Sequence, residues 1–211
     1  MPGENFKKRL AATTIGVILC ALGISFCLQG QVGIDPFGAF NKGMGARIGL
    51  SLGNFQVLIN CFIIAAVFYF NRSLIGVGTV INMLFVGYLI DFFSYLHDRL
   101  FSFPPSALTS SIHLILGLII ITLGLSLHIM ANLGLGPYDA ISVAVVERFP
   151  KIPFRLCRIA QDVSFMIMAW LVKAPLGPAT ILLAFFIGPL ITFWSRHFTA
   201  RLLGLPPEAI R

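Results

Sequence analysis

The chain has 211 residues, of which 57% are apolar and only 11% charged, with a net charge of +7. A soluble domain would be about a quarter charged, so the composition excludes a water-soluble globular protein and points to helices dissolved in lipid. The basic residues lie between apolar runs rather than along one stripe, which makes them topology signals and excludes nucleic acid as a partner.

The first apolar run covers about 10–30. Its start, KKRLAATTIGVILCALG, has the charged and apolar regions of a signal peptide, but the run has a counterpart in mid-chain and is therefore expected to stay as a first span. VGIDPFGAF (32–40) then breaks the pattern. Asp35 is a favoured helix cap and Pro36 suits a first helical position, which predicts a short helix over 36–46. Runs at 52–71 and 74–96 each offer about the 20 residues that cross a bilayer. HDRLFSFPPSALTS follows as a polar, Pro-containing linker. Beyond it come a run at 112–132, a second broken stretch GLGPYDAI (134–141), a short helix over 137–148, and runs at 154–173 and 176–195. In the second break Gly136 is the expected cap, Pro137 the first helical residue, and Asp139 a first-turn acid favoured by the helix dipole.

The two parts are related by a shift of 101 residues: Gly16 falls on Gly117, Gly33 on Gly134, Pro36 on Pro137, Thr79 on Thr180 and Gly87 on Gly188. Glycines and prolines in one register imply two halves, 8–96 and 109–197, with a linker at 97–108 and a tail at 198–211. Three spans per half turn the second half over in the membrane, which is the inverted repeat of many secondary transporters. The expected fold is all-α, with six transmembrane helices as two inverted three-span repeats. Each repeat has a short Pro-opened helix between its first and second spans. With the N-terminus in the cytoplasm, only Lys42, Arg47, Arg99 and Lys173 of the fifteen Lys and Arg fall outside, as the positive-inside rule requires. Both termini are then cytoplasmic. The short helices either lie at the interface or dip back as re-entrant segments, where non-helical backbone must be covered by protein or line a cavity.

Ionisable residues inside spans are functional candidates. Asp162 is the deepest acid, and Arg158, four residues earlier, shares its face and can pair with it. Asn60 and Gln161 occupy equivalent positions and either meet near the axis relating the halves or serve as hydrogen-bonding glue between helices; Asn82 is a third amide of this kind within a span. The candidate substrate-binding set is Asp35, Asn60, Asn82, Tyr138, Asp139, Gln161 and Asp162, with Arg158 and Asp162 as the ion pair or proton-coupling element. Acids at both short-helix starts favour a cation, a proton-coupled group or the amino end of a zwitterion. Asp91 and His97 are expected in a solvated interface role. The cysteines are isolated, and His113 and His128 are too far apart on one helix to share a metal. No metal, cofactor or enzymatic motif is expected.

With its doubled three-span plan, G-x-D-P-F at 33–37, G-x-G-P-Y-D at 134–139 and G-V-G-T at 76–79, the chain resembles the YczE/YyaS/YitT group of small bacterial integral membrane proteins. The resemblance implies the bacterial cytoplasmic (inner) membrane and carries no assigned binding residues. Two functions remain open. One is a small secondary transporter, in either direction, of a polar or zwitterionic molecule, as a monomer or homodimer in the bilayer. The other is a membrane subunit without transport of its own, either binding substrate for a partner protein or serving as accessory or scaffold. Ala11, Ala12, Gly16 and Ala21 would give it a docking face.

Overall fold

The computed structural model describes residues 2–100 and 106–205. Among these the chain is helical throughout: α1 (Pro2–Gln29), α2 (Pro36–Arg47), α3 (Leu52–Phe70), α4 (Val77–Leu100), α5 (Ala107–Met130), α6 (Pro137–Arg148), α7 (Phe154–Leu171) and α8 (Pro178–Trp194). A π-helical turn, Ser195–Thr199, leads into the short α9 (Ala200–Leu203). Five segments are long and apolar enough to cross a membrane: Asn5–Gln29, Leu52–Phe70, Val77–Leu100, Ala107–Met130 and Pro178–Leu203. Helix α7 differs because Arg155, Arg158 and Asp162 interrupt its apolar run. Large apolar side chains such as Phe62 of α3 are exposed, as lipid contact requires, and Trp170 of α7 is exposed as well. Of the linker stretch, α4 takes in residues up to Leu100 and α5 begins at Ala107, while 101–105, with Pro104 and Pro105, lie outside the described residues, as does the tail from 206.

Helices α1 and α5 cross antiparallel at the centre. A Cβ on Gly16 would lie 2.6 Å from the carbonyl oxygen of Gly124, and one on Gly23 would lie 2.9 Å from that of Gly117. Lipid tails are as apolar as leucine, so close backbone approach through small residues is what drives such packing. Shifting each partner by 101 residues turns the first contact into the second. Ala12, Gly16 and Ala21 are buried and only Ala11 is exposed. The small-residue face expected to dock a partner is therefore largely used inside the protein, because α5 carries the matching glycines.

The broken stretches obey the same correspondence. Gln31 and Asn132, at matching positions, both adopt left-handed backbone (φ 53° and 50°), as do Gly33 (φ 82°) and Gly134 (φ 107°). Each stretch then bonds the start of a helix from the other half: Ala179 N–H donates to Val32 O at 2.9 Å and Gly78 N–H to Leu133 O at 2.7 Å. Thr79 and Thr180 Oγ1 accept from Gly76 and Gly177 N–H, each at 3.1 Å. The short helices begin as expected. Asp35 caps α2 by accepting from Gly38 N–H at 2.8 Å, and Gly136 caps α6 without a side-chain bond. Their first turns are buried in protein, with Pro36, Phe37, Pro137 and Tyr138 all enclosed.

Two residues were expected in a solvated interface role. Asp91 is half-buried and accepts from Gly53 N–H at 2.8 Å, which holds the start of α3. His97 departs from expectation and is enclosed: its ring packs edge-on to Phe26, and its Nε2 lies 3.4 Å from Nε2 of His113. The burial follows because α4 and α5 both close on α1 at this end. Cys61 is exposed, unlike the buried Cys20 and Cys27.

Candidate functional site

The starts of α2 and α6 meet. Phe37 and Tyr138, the second residues of the two helices and equivalent under the 101-residue shift, stack with ring centroids 4.6 Å apart. Phe165 of α7 packs edge-on to both, at 5.2 and 5.3 Å, and Phe40 lies 5.6 Å from Phe165. This aromatic wall supports a charged cluster. Tyr138 Oη donates to Asp162 Oδ1 at 2.6 Å, and Arg158 Nε donates to Asp162 Oδ2 at 3.3 Å. The same guanidinium bonds Asp139 and lies over the Tyr138 ring, 4.7 Å from its centroid.

Local sequence explains the convergence. Tyr138 and Asp139 are fixed by the Pro-opened start of α6, one turn above Ser142. Arg158, Gln161, Asp162 and Phe165 recur at three- and four-residue spacing and share one face of α7. Gln161 Nε2 donates to Tyr138 O at 2.8 Å, and Ser142 Oγ bonds Gln161 Oε1, so the amide joins the two helices below the ion pairs. Asp162 is 2% exposed at its side chain, Arg158 18% and Asp139 25%. With both carboxylates ionised, the one guanidinium between them leaves the cluster one negative charge in excess, and Asp35 at the neighbouring helix start has no salt bridge among the described residues. Such a site suits a cationic group on a bound molecule.

Of the expected set, Tyr138, Asp139, Gln161 and Asp162 come together around Arg158. Asn82 stands at the rim: a Cβ on Gly136 would be 3.4 Å from its Oδ1 and 3.2 Å from Asp139 Oδ2. Asp35 is used as a cap on α2. Asn60 does not bond Gln161. It is 1% exposed, and neither of its amide atoms has a partner among the described residues. The expected meeting of the two amides fails because Gln161 turns toward α6, where Tyr138 and Ser142 bond it. Phe37, Ser142 and Phe165 escaped the sequence reading. Phe37 could have been found as the 101-residue counterpart of Tyr138, and Phe165 by its spacing from Asp162. Tyr138→Phe, which removes a bond to a charged acceptor, is expected to cost about 1.5–3 kcal/mol; thermal unfolding in detergent would measure it.

The two short helices are seated differently. At Gly43 of α2 a Cβ would fall 2.7 Å from Ala174 Cβ, and Arg47 donates to Leu171 O at 3.1 Å, so α2 closes against the end of α7. The matching residues of α6, Ala144 and Arg148, instead border a cavity of about 280 Å³ against α3, whose walls include Val67, Phe70 and Ile141.

The match to known proteins covers nearly the whole chain. A family described as a family of unknown function (DUF6198) matches residues 7–196. The uncharacterized membrane protein YczE of Bacillus subtilis is 28% identical over 179 residues, 84% of this chain and 81% of the relative. An uncharacterized protein of Haemophilus influenzae is 26% identical over 201 residues, 92% and 88% of the two chains. The uncharacterized protein YyaS of Bacillus subtilis is 25% identical over 191 residues, 89% and 94%. No solved structure matches. With a helical chain rich in apolar segments and a family match from end to end, this is a membrane protein of the DUF6198 family, related to YczE and YyaS.

Proposed function

We propose that the protein is a small secondary transporter of a polar or zwitterionic molecule whose amino end is held at the Asp139–Arg158–Asp162 cluster. The observation that carries this reading is the meeting of two Pro-opened helix starts beside a buried, net negative cluster. In transporters built from repeats, substrate sites lie where broken helices from the two halves face each other. In this reading α7 is a sixth span whose charges are satisfied inside the protein, α2 and α6 are re-entrant, and the halves are inverted repeats. The reciprocal contacts of α1 with α5, and of Val32 and Leu133 with the opposite half, support that symmetry. Both termini face the cytoplasm of the bacterial inner membrane, on the charge count above.

The unequal seating of α2 and α6 supports alternating access, because inverted repeats that adopt different conformations open a path on one side and close it on the other. Here the cavity lies on the α3–α6 side. The test is reconstitution into vesicles holding a pH-sensitive dye, with amino acids, amines and zwitterions applied outside. At least one compound is expected to drive proton movement that Asp162→Asn abolishes while the variant still inserts. Undiminished proton-coupled flux in that variant would remove Asp162 from the mechanism. A silent panel would favour a partner-dependent binding subunit instead.

A further inference from the structure

The strongest polar anomaly lies outside the charged cluster. Asn41 in α2 and Asn60 in α3 are 0% and 1% exposed, and both amide atoms of each lack a hydrogen-bond partner among the described residues. Gln56, one turn before Asn60 on the same face of α3, is 7% exposed, and its Oε1 is also without a partner. Buried side-chain amides are nearly always bonded, so this many unpaired atoms in one region call for a guest.

The two asparagines stand at the same level of neighbouring helices. Helices α2 and α3 form a hairpin closed by Leu50 N–H donating to Gly45 O at 2.9 Å, and a Cβ on Gly45 would be 3.2 Å from Phe55 Cβ. Four residues up α2 and five along α3 from that contact bring Asn41 and Asn60 to the same level within about 1.5 Å along the axes. Their counterparts in the second half, Ser142 and Gln161, bond each other directly. The first half carries two amides at these positions, with no such bond between them among the described residues.

We propose that Asn41 and Asn60, with Gln56, form a binding site for a monovalent metal cation, with Na⁺ as the ion to test. The donors are neutral amide oxygens. Zinc and copper sites use nitrogen and sulfur ligands, and calcium and magnesium sites rely on carboxylates. A hard cation of single charge is the species that neutral oxygens can hold. Asp35 stands six residues before Asn41, about 9 Å along α2, and supplies negative charge that no salt bridge among the described residues takes up. Each amide can turn its oxygen toward the ion and its N–H₂ toward backbone carbonyls, since the two orientations are nearly isosteric. This site goes beyond the transport reading and does not depend on it, because binding is measured without flux.

The experiment is thermal unfolding of the purified full-length protein in detergent at constant ionic strength, in sodium, potassium or choline chloride. Sodium is expected to raise Tm saturably, by about 5–10 °C at a hundredfold excess over Kd. The paired substitution Asn41→Leu with Asn60→Leu should abolish this dependence. A rise shared by sodium and potassium but absent in choline keeps a cation site without preference between them. Equal melting in all three salts, together with a paired variant at least as stable as the parent, would mean that the amides hold only water and would overturn the proposal. So would a sodium effect that survives in the paired variant. If that variant does not fold, ²³Na line broadening by the parent protein decides: broadening reversed by lithium but not by choline supports the site, and its absence refutes it.

Discussion

Arg158→Leu is expected to destabilise the protein by about 3–5 kcal/mol, the cost of leaving a buried charge without its partner. The substitution strands Asp162, which is 2% exposed and held only by Tyr138 once the guanidinium is gone. It also sets Asp139 and Asp162 against each other with no cation between them. The paired variant Arg158→Leu with Asp162→Leu should lose less than Arg158→Leu alone, because removing both members of a buried pair avoids the stranded charge. Thermal and denaturant unfolding in detergent would measure all three proteins. If Arg158→Leu costs under about 1 kcal/mol, the value typical of an exposed pair, water reaches the cluster and it is no enclosed site.

The second large effect concerns the broken stretches. Gly33→Val and Gly134→Val are each expected to cost about 2–5 kcal/mol. Left-handed backbone costs a side-chain-bearing residue about 1–2 kcal/mol, and overpacking adds about 1–3 kcal/mol. Both terms apply here. Gly33 has φ 82° and would place a Cβ 2.6 Å from Thr180 Oγ1; Gly134 has φ 107° and would place one 2.5 Å from Thr79 Oγ1. Similar losses at the two sites would show that both stretches bear the same packing load. A loss at one and tolerance at the other would break the correspondence between the halves at this level. The measurement is the fraction of each variant that stays monodisperse in detergent, with its Tm.

Much of this architecture was legible before any coordinates. Asp35-Pro36 and Gly136-Pro137 announce helix starts because capping and the missing proline N–H act within four residues. Arg158 and Asp162 announce a pair because four residues make just over one helical turn. The 101-residue echo of glycines and prolines marked the positions that the backbone contacts use, since such residues answer to backbone geometry rather than to composition.

The charged cluster was legible only as separate pieces. Asp139 and Asp162 lie in different helices, and nothing local says that Arg158 bridges them. That depends on α6 and α7 packing with Tyr138 against Phe37. Asn60 and Gln161 show the limit more sharply. Matching positions suggested that they meet, but Gln161 found Tyr138 and Ser142 while Asn60 found no partner, because the residues facing them differ between the halves. His97 looked like an interface residue from its place near a helix end, yet Phe26 and His113 enclose it.

Composition, caps and periodicity thus decided on their own that this is a helical membrane protein and where its helices begin, because those properties depend on residues within a turn or two of each other. Tertiary packing alone decided which polar groups become neighbours, which stay unpaired, and that α2 closes against α7 while a cavity is left between α6 and α3. Those outcomes depend on which side chains meet across helices far apart in the chain, and no local rule contains that information.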